Sequence, residues 1–152
     1  MSLPNIFTTE VSAEIVNRIN KLTATTPAQW GKMSVSQMLA HCNVTYEMIY
    51  ENIHPKPNFL MGFILKTFVK SKVVGEGTYP KSSPTAPQFV IKNQPDFDLQ
   101  KTRLIDYINR TQQLGGNAFD GKESHSFGIL NTTEWNNMMY KHLHHHLTQF
   151  GV

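Results

Sequence analysis

The sequence is short of cysteine, and that scarcity excludes a good deal. Cys42 is the single cysteine in 152 residues, so neither an intramolecular disulfide framework nor a C-x-x-C redox pair is available. One free thiol suits a reducing compartment. Charge is sparse as well: Asp, Glu, Lys and Arg make up 16% of the chain, with a formal net charge of +3. The basic residues form no run of five or six, so no nucleic-acid partner is expected. Long hydrophobic runs are also missing. The most apolar window, FLMGFIL at 59–65, is followed by Lys66, Lys70 and Lys72, and a bilayer-crossing helix needs about 20 apolar residues. The opening MSLPNIFTTE has no basic stretch leading into an apolar one, so no signal peptide is expected. These absences predict a soluble, cytoplasmic protein with no membrane partner.

Hydrophobic residues are 39% of the chain, enough for a packed core in a domain of this length. One domain spanning 1–152 is the expectation. Four stretches have helical periodicity. In the first, 9–23, Val11, Ile15, Ile19 and Leu22 line one face. The second opens on Ser34 followed by Gln37, a capping-box pair, and runs to about 52. Its inward stripe is Met38, His41, Cys42, Thr45, Met48 and Ile49. The third runs from 96 to 114 and stops at Gly115-Gly116. The fourth starts at Asn131, paired with Glu134, and runs to about 150.

The connection between the second and third helices is long and holds six of the eight prolines, between 55 and 95. A short helix at 58–72 fits there. The following KSSPTAPQFVIKNQP is expected to be mostly extended, because proline disfavours helix for itself and its predecessor. GGNAFDGKESHSFG reads as a loop by its Gly, Asn and Asp content. QFVIK is the one strand-like stretch, too little for a doubly wound α/β fold. The pattern predicts an all-α, four-helix bundle with a long crossover between helices 2 and 3.

The chemistry concentrates in YKHLHHHLTQF, 140–150, which holds four of the seven histidines. The run is interrupted by Leu143 and continues into LTQFGV, unlike a purification tag. On the fourth helix, Trp135, Met139, His142, His146 and Gln149 follow spacings of four, three, four and three, one continuous stripe. Two imidazoles one turn apart can bind one metal ion. His145 is also about one turn from His142 and rivals His146 as the second ligand. His144 lies about 160° from His146 around the helix and faces away. His41 sits on the apolar stripe of the second helix. If those helices pack, His41, His142 and His146 converge, and three neutral imidazoles leave coordination positions open, as catalytic sites do. Neutral imidazole suits Zn, Ni, Cu and Fe; the expected cofactor is a divalent ion, Zn or Ni first.

Other residues have plainer readings. Cys42 is a small buried hydrophobe. His125, in the loop before the fourth helix, is a candidate for substrate binding or proton transfer, or a surface residue. His54 ends a helix, Glu47 and Glu51 are solvated, and Trp30 and Trp135 belong to the core. FLMGFILKTFVKSK is a membrane-surface amphipathic segment or, by preference, a face packed over the bundle or at a dimer interface.

WGKMSVSQMLAHC (30–42), SSPTAPQFVIKNQPDFDLQKTRLIDYI (82–108) and SFGILNTTEWNNMMYKHLHHHLTQFG (126–151) together resemble the DinB/YfiT-like superfamily of metalloenzymes, and most of all a branch known only as a domain of unknown function. The resemblance covers nearly the whole chain. It implies a four-helix bundle with a long crossover, often a homodimer, and a metal site with one histidine from the second helix and an H-x-x-x-H pair from the fourth. Carried over, the second-helix ligand is His41 in MLAHC. The family's last ligand stands in HHxxQ, here HHLTQ, which selects His146 over His145 and leaves His142 as the other. Many relatives have Arg-Gly after that ligand where this chain has Leu147-Thr148, which weakens transfer of a specific substrate. Characterised relatives include thiol S-transferases and a thiol-dependent isomerase. The resemblance therefore implies a small-molecule substrate, with a low-molecular-weight thiol as the candidate co-substrate. A hydrolase using a metal-bound water is chemically equivalent. A non-catalytic metal-binding or interaction protein is the alternative.

Overall fold

The computed structural model describes residues 2–152. The chain is mostly helical, with one small two-stranded sheet. Helix α1 (Thr9–Asn20) starts where the Thr8 hydroxyl accepts from the Val11 amide. Helix α2 (Val35–Tyr50) starts on the Ser34/Gln37 capping box, with both reciprocal hydrogen bonds made. Helix α3 (Phe59–Ile64), a π-helical turn (Leu65–Val69) and α4 (Lys70–Val74) run on from one another. Helix α5 (Phe97–Leu114) is capped by Asp96 and ends at Gly115, whose φ of 70° is the left-handed conformation that glycine adopts without strain. A hairpin, β1 (Lys122–Ser124) with β2 (Gly128–Leu130), leads into α6 (Thr132–Gln149), which opens on an Asn131/Glu134 capping box.

Helix α2 packs against α5 and α6, and α1 against the same two. Their shared core includes Ile15 and Ile19 from α1, Met38 and Leu39 from α2, Leu104 and Ile108 from α5, and Trp135, Met139 and Leu143 from α6. Helix α4 lies on α6, fastened by Lys141. That buried side chain donates from Nζ to the carbonyls of Lys72 (2.7 Å) and Gly75 (2.6 Å) and stands over the Tyr79 ring.

Several expectations change. Helix α1 stops at Asn20 rather than 23, though Leu22 still reaches the core. QFVIK forms no strand: Pro87–Phe89 is a 3-10 turn, because proline withholds the amide that a ladder needs. The glycine-rich loop contains the hairpin, whose Ser124 hydroxyl accepts from the Phe127 amide and donates to the Gly128 carbonyl. Trp135 is core as expected, but Trp30 is only half-buried and lies beneath Lys81.

Glu47 is not solvated. It is buried against α5, with Arg103 at 2.8 Å and His54 Nε2 at 2.7 Å on its two oxygens. Arg103 also reaches Glu51 and the Tyr107 hydroxyl, and Tyr107 donates to Glu51. The apolar side chains of 59–68 do not pack over the helices. The inward positions of that segment are Gly62 and Leu65, continued by Val69, Val73 and the buried Val74, while Phe59, Leu60, Phe63, Ile64 and Phe68 point to solvent.

Candidate metal centre

Three histidines meet where α2 faces α6. Helix α2 enters from its capping box and carries His41 about two turns in, on the side that buries Met38 and Cys42. Helix α6 carries His142 and His146 one turn apart on the side that buries Trp135, Met139 and Leu143. The two helical periods therefore aim all three rings at one point. His41 and His146 are buried and His142 is partly so. One ligand nitrogen from each lies within 4.8 Å of the others. His41 Nε2 is 2.9 Å from His142 Nε2, and the His41 and His146 ring centres are 4.5 Å apart.

The opposite nitrogen of each ring is anchored. His41 Nδ1 donates to the Phe89 carbonyl at 2.9 Å. His146 Nδ1 donates to Gln149 Oε1 at 2.8 Å, and Gln149 Nε2 in turn donates to the Trp30 carbonyl at 2.8 Å. That second bond fixes which end of the amide faces the ring. His142 Nδ1 lies 3.1 Å from the Thr45 hydroxyl. A carbonyl or amide oxygen can only accept, so in His41 and His146 the hydrogen sits on Nδ1. In the neutral ring Nε2 then carries a lone pair.

The electrostatics agree with that assignment. Burial, then the neighbouring His146 and His41, push the His142 pKa well below the usual histidine range. Burial, then His41, push His146 down to about 3, against a small opposing pull from its bond to Gln149. Burial also lowers His41, partly offset by the Phe89 carbonyl. All three rings are neutral near pH 7, the state that a metal ligand requires.

With its own hydrogen on Nδ1, His41 Nε2 can only accept, so in the metal-free protein the 2.9 Å contact is a hydrogen bond donated by His142 Nε2, with the Thr45 hydroxyl donating to His142 Nδ1. A cation would take the place of that proton. A divalent ion fits the donor set: three borderline nitrogen ligands, each with its second nitrogen held by an oxygen, as in ligating histidines generally. Nitrogens on one tetrahedral ion at about 2.0–2.1 Å stand roughly 3.3–3.4 Å apart, and the three here lie within 4.8 Å of one another, so the widest spacing closes by about an ångström or more when an ion is held. His41, His142 and His146 could hold the ion, leaving further coordination positions for water or a small ligand.

The other histidines stay out of this group. His145 packs edge-on against His146, Trp30 and Tyr79, with ring centres 5.0, 5.9 and 5.7 Å away. His144 points outward, stacks on Tyr140 and bonds to Arg18. His125 sits in the hairpin turn, where its partners are the Ser126 hydroxyl and the His54 carbonyl. Cys42 is buried, its thiol pushed up by desolvation, and donates to Met38 Sδ. It is a packing residue rather than a thiolate.

Three supports of the site were less visible in sequence. Thr45 and Gln149 lie on the inward stripes of their helices, and a polar side chain on such a stripe needs a partner. The Phe89 carbonyl carries no such signal, because any residue supplies one. The Phe89 ring covers the site from the crossover, 5.2 Å from His41 and 5.9 Å from His142 between ring centres.

No curated protein and no solved structure matches the chain. One family model matches residues 5–151, nearly the full length, and the chain belongs to that family, described as a protein of unknown function, DUF1569.

Proposed function

We propose that the chain is a divalent-metal enzyme on a four-helix bundle of the DinB/YfiT type, formed by α1, α2, α5 and α6, with His41, His142 and His146 as the metal ligands. The reaction is a thiol transfer or a hydrolysis on a small molecule, with a low-molecular-weight thiol as the favoured co-substrate. The observation that carries this reading is the convergence of three neutral imidazoles whose Nδ1 atoms are already engaged. A closed structural site would use a fourth protein ligand, and no fourth His, Cys, Asp or Glu joins the group among the described residues.

When bound, a divalent ion supplies charge that lowers the pKa of a coordinated thiol or water and so presents a nucleophile near neutral pH. The chain's own residues prepare for that. Phe89 and Gln149 hold the hydrogens of His41 and His146 on Nδ1, and Thr45 orients His142. Burial keeps the rings uncharged, and the Phe89 ring limits access of bulk water.

One observation favours the rival reading, a non-catalytic metal-binding protein. Two cavities of about 250 and 460 Å³ lie along the α3–α4 segment, and neither is lined by the three histidines. The test has two steps. Tag-free protein is analysed for bound Zn and Ni, in the wild type and in His41→Ala. The proposal expects about one ion per chain in the first and almost none in the second; a metal-free wild type or an undiminished variant contradicts it. Metal-loaded protein is then screened with several low-molecular-weight thiols and electrophiles, and with ester and amide substrates. Silence throughout selects the non-catalytic reading.

A further inference from the structure

The segment 59–74 is amphipathic the wrong way round. Its inward face is Gly62, Leu65, Val69, Val73 and the buried Val74, and its solvent face carries the phenylalanines. Phe59 is 92% exposed, Leu60 68%, Phe68 65% and Phe63 59%. Ile129 of the hairpin is also 68% exposed, and its carbonyl accepts from Lys70 of α4. Contiguous exposed apolar surface of this kind marks a contact site.

The charges carried by the segment itself have one sign. Residues 52–75 contain four lysines, at 56, 66, 70 and 72, and no Asp or Glu. Lys70 is tied to Glu134, and Lys56 reaches Glu123 at 3.9 Å. Lys66 and Lys72 are exposed and make no ion pair among the described residues. Beside the helix, between it and the hairpin, lies the cavity of about 250 Å³. Its polar wall includes Lys56, Asn58, Lys66, His125 and Ser126, with Glu123 the only carboxylate. Such a wall suits a phosphate group.

We propose that this face docks on a bilayer surface containing anionic phospholipid. Phe59, Leu60, Phe63, Ile64 and Phe68 enter the headgroup–acyl boundary, and Lys66 and Lys72 extend to the lipid phosphates at its edge. The cavity receives one headgroup. A second copy of the chain fits the patch less well. A two-fold contact sets each copy's lysines against the same acid-free stretch, whereas anionic lipid accepts the apolar and the cationic side chains together. The association is peripheral, because no described helix is long and apolar enough to cross a membrane. It is independent of the metal-centre reading and replaces the sequence-based expectation of no membrane partner.

The test is co-sedimentation of the full chain with vesicles of phosphatidylcholine alone and of phosphatidylcholine mixed with phosphatidylserine. Binding to the mixed vesicles is expected, with far less to the neutral ones and a marked loss on raising the salt. The double substitution Leu60→Ser with Phe68→Ser removes it; both positions are solvent-exposed, so the fold is retained, as circular dichroism verifies. Lys66→Ala with Lys72→Ala weakens binding by about thirtyfold. Absence of binding to the mixed vesicles overturns the proposal, as does undiminished binding by the Leu60→Ser/Phe68→Ser protein. A wild-type dimer in light scattering that this double variant converts to monomer assigns the face to a second copy and also overturns it.

Discussion

Two polar clusters lie along α2, about two turns apart. At Glu47, buried charge is matched by charge. The carboxylate takes a hydrogen bond from Arg103 and one from His54, and Arg103 links on to Glu51 and Tyr107. The oxygens and guanidinium nitrogens at its centre find partners within the cluster, as a structural tie between α2 and α5 requires. At His41, uncharged rings are matched only on one side. Each Nδ1 has an oxygen, while the three Nε2 atoms face one another. The hydrogen bond between His41 and His142 joins two of them, and His146 Nε2 makes no hydrogen bond among the described residues. A cluster closed on itself belongs to the fold; one whose inner nitrogens share a single proton and converge on one point is arranged to exchange that proton for a cation from outside.

Substitutions separate the two clusters, and the largest effect belongs to the ligands. His41→Ala or His146→Ala lowers Zn affinity by at least about a hundredfold, since losing a ligand costs more than the 10–100-fold typical of a supporting residue. Competition with a chromophoric chelator measures it. Gln149→Leu or Thr45→Val leaves the ligands in place but frees a ring, for a loss of about tenfold to a hundredfold in the same assay. Glu47→Gln does the reverse. It costs about 1–3 kcal/mol of stability in urea denaturation, because Arg103 and His54 lose a charged partner, and it leaves metal affinity unchanged. Equal effects of Glu47→Gln and Gln149→Leu on metal would erase the distinction between the clusters.

A smaller effect is expected from pH. The three rings have native pKa values below the ordinary 6.5, with His146 at about 3. Below 6.5 the unfolded chain binds protons that the folded metal-free protein refuses, so their contribution to stability is full above 6.5 and is lost as the pH falls toward 3. Thermal denaturation of the metal-free protein across that window follows it, and added Zn shifts the midpoint upward only where the rings are neutral. The smallest effect is that of Cys42→Ala, about 1 kcal/mol of packing with metal affinity unaltered.

How much of this was written in the sequence depends on range. His142 and His146 could be placed because a helix repeats every 3.6 residues and both fall on the stripe with Trp135 and Met139. The same periodicity put His41 inward and turned His144 out. The Ser34/Gln37 and Asn131/Glu134 caps were legible because their partners stand three residues apart. What failed depended on distant or backbone partners. Glu47 looks like any solvated helix carboxylate until Arg103, 56 residues on, is folded against it. The Phe89 carbonyl that holds His41 has no side-chain signature. The hairpin at 122–130 has strands of three residues, too short to show an alternation, within a stretch whose composition reads as loop. The apolar window at 59–65 pointed toward burial, and only the fold shows that Gly62 and Leu65 take the inner positions there.

The site is arranged for one ion on Nε2 of three particular histidines. Zinc titration of tag-free, 15N-labelled protein, followed through the imidazole nitrogens by NMR, tests it most directly. Saturation is expected at one equivalent, with the Nε2 signals of His41, His142 and His146 shifting together, Nδ1 of His41 and His146 remaining protonated, and His144 and His125 unmoved. Shifts centred on His144 or His145, or no saturable change at any of the three, would contradict it.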